Sequence, residues 1–186
     1  ENSEYEIINN SDIKIRTKSE NFEGYDIEPL SDLHLKASNL KGIKYEAYNP
    51  GISNIVPQLK AALSTFNMEG VKGQNTNWED FGKWMYNKLI TGTDVIPQSV
   101  IDEIKALTAN TTTNLEKAQQ VYQYMQDKTR YISVQVGIGG WKPMDATDVD
   151  KLGYSDCKGL TNYTKALLEA VDVPSYYTVV WGDSDL

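Results

Sequence analysis

From the N-terminus, short apolar runs alternate with polar turns. Tyr5-Glu6-Ile7-Ile8, Ile13-Lys14-Ile15-Arg16-Thr17 and Ile43-Lys44-Tyr45-Glu46-Ala47-Tyr48 read as strands. They are set apart by the turn-prone Asn9-Asn10-Ser11-Asp12, Ser38-Asn39 and Asn49-Pro50-Gly51. Ile13 and Ile15 between charged neighbours predict strands with one wet face. From Thr76 the period becomes helical. Trp78, Phe81, Met85 and Leu89 recur at helical spacing behind the capping-box pattern Thr76-Asn77-Trp78-Glu79, and Thr91-Gly92 closes the run. A second helix is expected from Pro97 with Val100, Ile101, Ile104 and Leu107 on its apolar side. A third opens on the box Thr113-Asn114-Leu115-Glu116 with Leu115, Ala118, Tyr122 and Met125 inward. Alternation over Tyr131–Val136 predicts a strand, and Gly137-Ile138-Gly139-Gly140-Trp141-Lys142-Pro143 a loop. Leu160, Thr164, Leu167, Leu168 and Val171 mark a last helix that ends before Pro174. The change of period divides the chain into a β-rich part, 1–70, and a mixed part, 71–186, with Gly70 to Thr76 as the linker.

Composition narrows the classes of function. The chain has 186 residues, 40% hydrophobic and 24% charged, as in a globular protein with an ordered core. Its net charge is −8, with no basic cluster, which argues against a nucleic-acid partner. No apolar run approaches the roughly 20 residues of a membrane-spanning helix. The glycine-rich loop lacks the Gly-Lys-Ser/Thr ending of a phosphate-binding loop, so no nucleotide is expected. A single cysteine and a single histidine exclude an internal disulfide and a zinc site of the Cys/His kind. No metal and no cofactor are expected.

The chemistry therefore turns on Cys157. In Tyr154-Ser155-Asp156-Cys157-Lys158-Gly159, Ser155 or Asp156 can cap the last helix, which puts Cys157 in its first turn. Unpaired N–H groups and the positive end of the helix dipole favour a thiolate there, and the Lys158 ammonium adds to this if it lies close. The same N–H groups can hold an oxyanion. Asp156 opposes ionisation through like charge. Position alone leaves two readings open, a nucleophile or a small buried residue that packs.

The order Arg130-Tyr131-Ile132, Gly139-Gly140-Trp141-Lys142-Pro143, Asp156-Cys157-Lys158 and Val173-Pro174 resembles the bacterial transglutaminase-like superfamily, from about Trp78 onward. Upstream, Asn49-Pro50 through Gln58-Leu59-Lys60 and Gly73 to Trp84 resemble the end of the β-rich domain that often precedes that core in Bacteroidetes proteins. The resemblance implies an α+β, papain-like core cut short before its catalytic histidine strand, preceded by the C-terminal part of a β-sandwich-like domain. It implies a cysteine peptidase, amidase or acyl transferase that works through a thioester on a peptide or protein amide, including cell-wall or glycan-linked ones. It also implies a periplasmic or cell-surface location.

Carried over, Cys157 matches the nucleophile, Asp156 and Lys158 its flanks, and Tyr176 to Trp181 the following strand; Asp156, Lys158 and Trp141 are the candidates for lining the oxyanion or substrate site. Family members commonly have Gly before the Asp-Cys pair and Asp after the Lys, where this chain has Ser155 and Gly159. No histidine follows Cys157, so the resemblance implies a His and an Asp beyond Leu186 and an inactive piece without them. His34 stands on the wrong side of the cysteine for this order and reads as a strand-end histidine. The alternative is a non-catalytic transglutaminase-like module that binds or joins at the cell surface.

Overall fold

A computed structural model describes residues 1–44 and 46–180. The fold is α+β, and the chain separates into two compact units.

The first unit, Glu1–Phe66 with Gln74–Thr76, is built of strands. β1 (Ser3–Glu6), β4 (His34–Ser38) and β3 (Asp26–Ser31) form an antiparallel sheet in the order β1-β4-β3. β2 (Ile15–Glu20) and β5 (Gln58–Leu63) form a separate antiparallel ribbon that pairs Ile15 with Leu63 and Glu20 with Gln58. This register sets Lys18 directly against Lys60, an unfavourable like-charge pair. Glu20 neutralises it by binding both ammonium groups, and its carboxyl is lowered to about 2, first by the hydrogen bond from Lys18 and then by that from Lys60.

Little is sealed inside this unit. Among the described residues, Leu35 is its one buried apolar side chain. A cavity of about 500 Å³ opens beside it, lined by residues that include Tyr5, Phe22, Ile27 and Leu59. The strand expected over 43–48 is absent from Ile43, Lys44 and Glu46–Tyr48, and Tyr45 lies outside the described residues. β3, β4 and β5 form where the pattern showed no strand. Their apolar residues are too few and too scattered to alternate.

The expected linker is also structured. Thr65–Met68 (β6) and Val71–Gln74 (β7) make a hairpin. Glu69 at φ 48° and Gly70 at φ 87° supply the two left-handed residues that a tight two-residue turn needs.

The second unit, Asn67–Gly73 with Asn77–Val180, holds the helices. α1 (Trp78–Met85) is capped by Asn77, one residue later than the capping-box reading, with the Asp80 N–H donating to Asn77 Oδ1 at 2.8 Å. Trp78 consequently points outward and is 88% exposed, while Met85 and Leu89 are buried as expected. The chain then widens into a π-turn over Tyr86–Ile90 before Gly92.

α2 (Gln98–Leu107) starts after Pro97 and buries Val100 and Ile104. α3 (Asn114–Lys128) has the expected capping box at Thr113 and Glu116, but it buries Val121 and Met125 and leaves Leu115 and Tyr122 exposed. α4 (Ala146–Leu152) lies in the acidic stretch, where the charges hide an inward pair, Ala146 and Val149. α5 (Cys157–Ala170) packs on α2, α3 and α4. Its Tyr163, Ala166 and Leu167 join Val100, Ile104, Val121, Met125, Ala146 and Val149 in one core.

The strand expected over 131–136 shrinks to β8 (Arg130–Tyr131), parallel to β9 (Tyr154–Ser155), and Val136 is 86% exposed. β9 is two residues long, so little of the preceding segment finds a ladder partner. Residues 176–180, expected as a strand, make no ladder, and Trp181 lies outside the described residues. Among the described residues, no helix is long and apolar enough to cross a membrane.

Candidate active site

Cys157 is the first residue of α5, and it is exposed. Asp156 is the cap: its backbone is extended, and its Oδ1 accepts the Gly159 N–H at 3.1 Å. That bond satisfies one of the four donors that a helix start leaves open. The N–H groups of Cys157 and Lys158 have no hydrogen-bond partner among the described residues. An exposed sulfur thus stands beside two free donors at the positive end of a helix of 14 residues.

Lys158 does something other than the sequence suggested. Its ammonium is paired with Asp156 Oδ2, and both side chains are largely buried, 14% and 4% exposed. The positive charge is therefore held by the cap carboxylate and is not a free counter-ion for sulfur. The two charges flanking Cys157 are thus paired with each other.

The two departures from the family pattern meet in space. A Cβ on Gly159 would lie 2.0 Å from Ser155 Oγ, 2.8 Å from Ser155 Cβ and 3.2 Å from Met144 Cβ. Ser155 is 1% exposed, so its hydroxymethyl group fills the space that a side chain at 159 would need. Serine at one position requires glycine at the other. The exchange lies on the buried side of the helix start, whereas Cys157 is exposed.

Behind the site, a polar chain ties four helices together. The Tyr163 hydroxyl of α5 donates to Asp150 Oδ1 of α4 at 2.7 Å, and the Lys128 ammonium of α3 pairs with the same oxygen. Lys128 also donates to the Tyr124 hydroxyl at 3.0 Å, and that hydroxyl donates to Glu103 Oε2 of α2 at 2.8 Å. Burial and then the Asp150 carboxylate push the Tyr163 phenol far above its usual range. Burial depresses Lys128, but its bonds to Asp150 and Tyr124 outweigh this and leave it raised.

Trp141 follows a 3-10 turn over Gly137–Gly140 and meets Phe81 of α1 edge-on, with ring centroids 5.9 Å apart; Phe81 in turn lies against Trp84. The ring is 39% exposed and anchors the loop to α1. His34 lies on β4 in the first unit, with its Nε2 2.7 Å from Glu4 Oε1 across the β1-β4 pair. Among the described residues, no three of His, Cys, Asp and Glu gather as a metal-holding group.

Tyr177 lies in the segment expected as the strand after the cysteine helix. Burial alternates through Val173, Pro174, Ser175, Tyr176 and Tyr177, which puts Tyr177 on the same side as the buried Val173. Its phenol is raised, first by burial and then by the nearby charges of Cys157 and Asp156.

No family model matches the sequence, and no curated protein is similar to it. Among solved structures, the chain is similar to one described as a "putative protease" from Parabacteroides distasonis ATCC 8503, with a TM-score of 0.48 and 14% identity. The match covers 91% of this chain and 28% of that one, so the chain spans well under a third of the length of the protein it resembles.

Proposed function

We propose that Cys157 is the nucleophile of a thiol-dependent amide chemistry, as in a peptidase, amidase or acyl transferase. The observation that carries this reading is the exposed sulfur on the first residue of a capped helix, beside two N–H groups with no partner among the described residues. The thiolate adds to the carbonyl carbon, the carbonyl electron pair moves to oxygen, and the free N–H groups receive that oxyanion. Collapse of the oxyanion breaks the C–N bond, and the amine leaves with a proton from a general acid, giving a thioester.

On this reading residues 71–186 belong to a transglutaminase-like core and residues 1–70 to the β-rich domain before it. The histidine and aspartate that move protons lie beyond Leu186, the substrate is a peptide or protein amide, and the location is extracytoplasmic. The Ser155 and Gly159 departures weigh less for a non-catalytic module than the sequence suggested, because they compensate each other away from the sulfur.

The test is alkylation by iodoacetamide in native buffer at neutral pH, read by mass spectrometry against Cys157→Ser. The expected result is complete single labelling of the folded wild type and none of the variant. Labelling of the wild type only after denaturation would refute the proposal.

A further inference from the structure

We infer that the cavity of the strand unit is a binding site for a single-chain fatty acid, with the chain against the apolar face of the β1-β4-β3 sheet and the carboxylate at Lys41. The site lies away from Cys157 in sequence and does not depend on the reading of that residue.

The strand register gives the sheet two unlike faces. Tyr5 pairs with Leu35, and Ala37 pairs with both Ser3 and Ile27, so these residues share one face by the two-residue period of a strand. The other face carries Glu4, Glu28 and Lys36, with Lys36 opposite both carboxylates. Such a division belongs to a sheet with one wet side and one covered side. Here the apolar side is covered only in part: Leu35 is buried, Ile27 and Ala37 are half-buried, and Tyr5 is 54% exposed. The cavity of about 500 Å³ stands over this face, and Phe22, Val56 and Leu59 complete its lining from outside the sheet.

Size and charge together select the occupant. Small-molecule sites measure about 300–1,000 Å³, are mostly apolar and carry a few polar groups, and this cavity has all three properties. A methylene is close to a water in size, and at about 30 Å³ for each the space takes on the order of 15 such groups. That is one acyl chain of medium length and less than the two chains of a membrane lipid. Among the described residues that line the cavity, Lys41 is the one that carries a charge, and it is exposed. It follows Leu40, whose N–H donates to Glu1 O at 2.9 Å and so holds this part of the chain beside the start of β1. Neither the Lys41 ammonium nor the Tyr5 hydroxyl has a hydrogen-bond or ion-pair partner among the described residues. An apolar space with one unpaired cation at its rim is complementary to a chain that ends in one negative charge, which a carboxylate supplies.

The probe is laurate, titrated at pH 8 into the 186-residue chain below its micelle-forming concentration and followed by calorimetry. One laurate is expected to bind per chain. Dodecyltrimethylammonium, which has the same chain length and the opposite charge, is expected to bind about 10-fold more weakly or worse. Lys41→Glu, at the exposed rim, replaces an attraction worth up to about 5-fold by a repulsion, so laurate should weaken about 5-fold or more. Ala37→Phe fills the space over the sheet and should weaken laurate about 10-fold or more, with circular dichroism unchanged. No saturable uptake of laurate overturns the proposal, as does equal binding of the two amphiphiles. Wild-type affinity in Lys41→Glu, or in a folded Ala37→Phe, overturns it as well. A wild-type chain that is dimeric by light scattering and takes up no laurate assigns the face to a second copy instead.

Discussion

The two units differ in how they hold themselves together. In the strand unit Leu35 is the one buried apolar residue among those described, and a cavity of about 500 Å³ adjoins it. In the helical unit four helices close on a continuous core, and Cys157, the proposed nucleophile, opens the most central of them. The difference teaches where precision comes from. A nucleophile must be held to within a fraction of an ångström, and a helix whose far side is locked by Tyr163, Ala166 and Leu167 can do that.

The largest effect should come from attacking that contrast directly. Leu167→Ala removes a fully buried side chain from the core and should cost about 2–5 kcal/mol. Leu35→Ala, at the edge of the cavity, should cost on the order of 1 kcal/mol, because little closely packed structure is lost around it. Urea unfolding followed by circular dichroism gives both numbers. Comparable losses would show that the strand unit is as tightly built as the helical one.

A second comparison sharpens the account of the helix start. Gly159→Ala forces a methyl group into Ser155 and should cost about 1–3 kcal/mol through overpacking. Adding Ser155→Gly should recover more than half of that, since it removes the two nearest atoms and leaves Met144 Cβ at 3.2 Å. The urea midpoints of the four-member cycle measure the coupling. Additive losses would mean that the two departures are unrelated.

The smallest expected effect concerns the polar chain. Tyr163→Phe should cost about 1–2 kcal/mol near neutral pH, as a hydrogen bond to a charged group is lost. The pH dependence has a definite sign. Tyr163 and Lys128 both have raised folded-state values, so their contribution is complete below about pH 10 and declines as pH rises through those values. Urea midpoints at pH 8 and pH 11 should fall further for the wild type than for Tyr163→Phe. An equal fall in the two would place the alkaline sensitivity elsewhere.

Local signals in the sequence marked most helix starts to within a residue, the box expected at Thr76 being replaced by a cap at Asn77. The capping box at Thr113, the start after Pro97 and the cap before Cys157 all depend on residues within four positions of one another. Choices made by a neighbour were not legible. α3 offers more than one apolar stripe, and packing against α5 selected Val121 and Met125 over Leu115 and Tyr122. Alternation over 131–136 states which residues could face a partner, but β9 offers only two residues to pair with. The same holds for the site. Cys157 could be placed from its flanks, whereas the pairing of Lys158 with Asp156 depends on side-chain direction.

The hairpin at 65–74 also bears on how this chain can be taken apart. The indole N–H of the buried Trp84 donates to the carbonyl oxygen of Lys72 at 3.0 Å, across the stretch where a linker was expected. Trimming a gene to begin at the first helix would remove that acceptor and strand a buried donor, a loss of about 1–3 kcal/mol before any tertiary packing is considered. The smallest excisable form of the helical part therefore has to keep the β-turn in front of it, and its modular boundary lies upstream of the place where the helices begin.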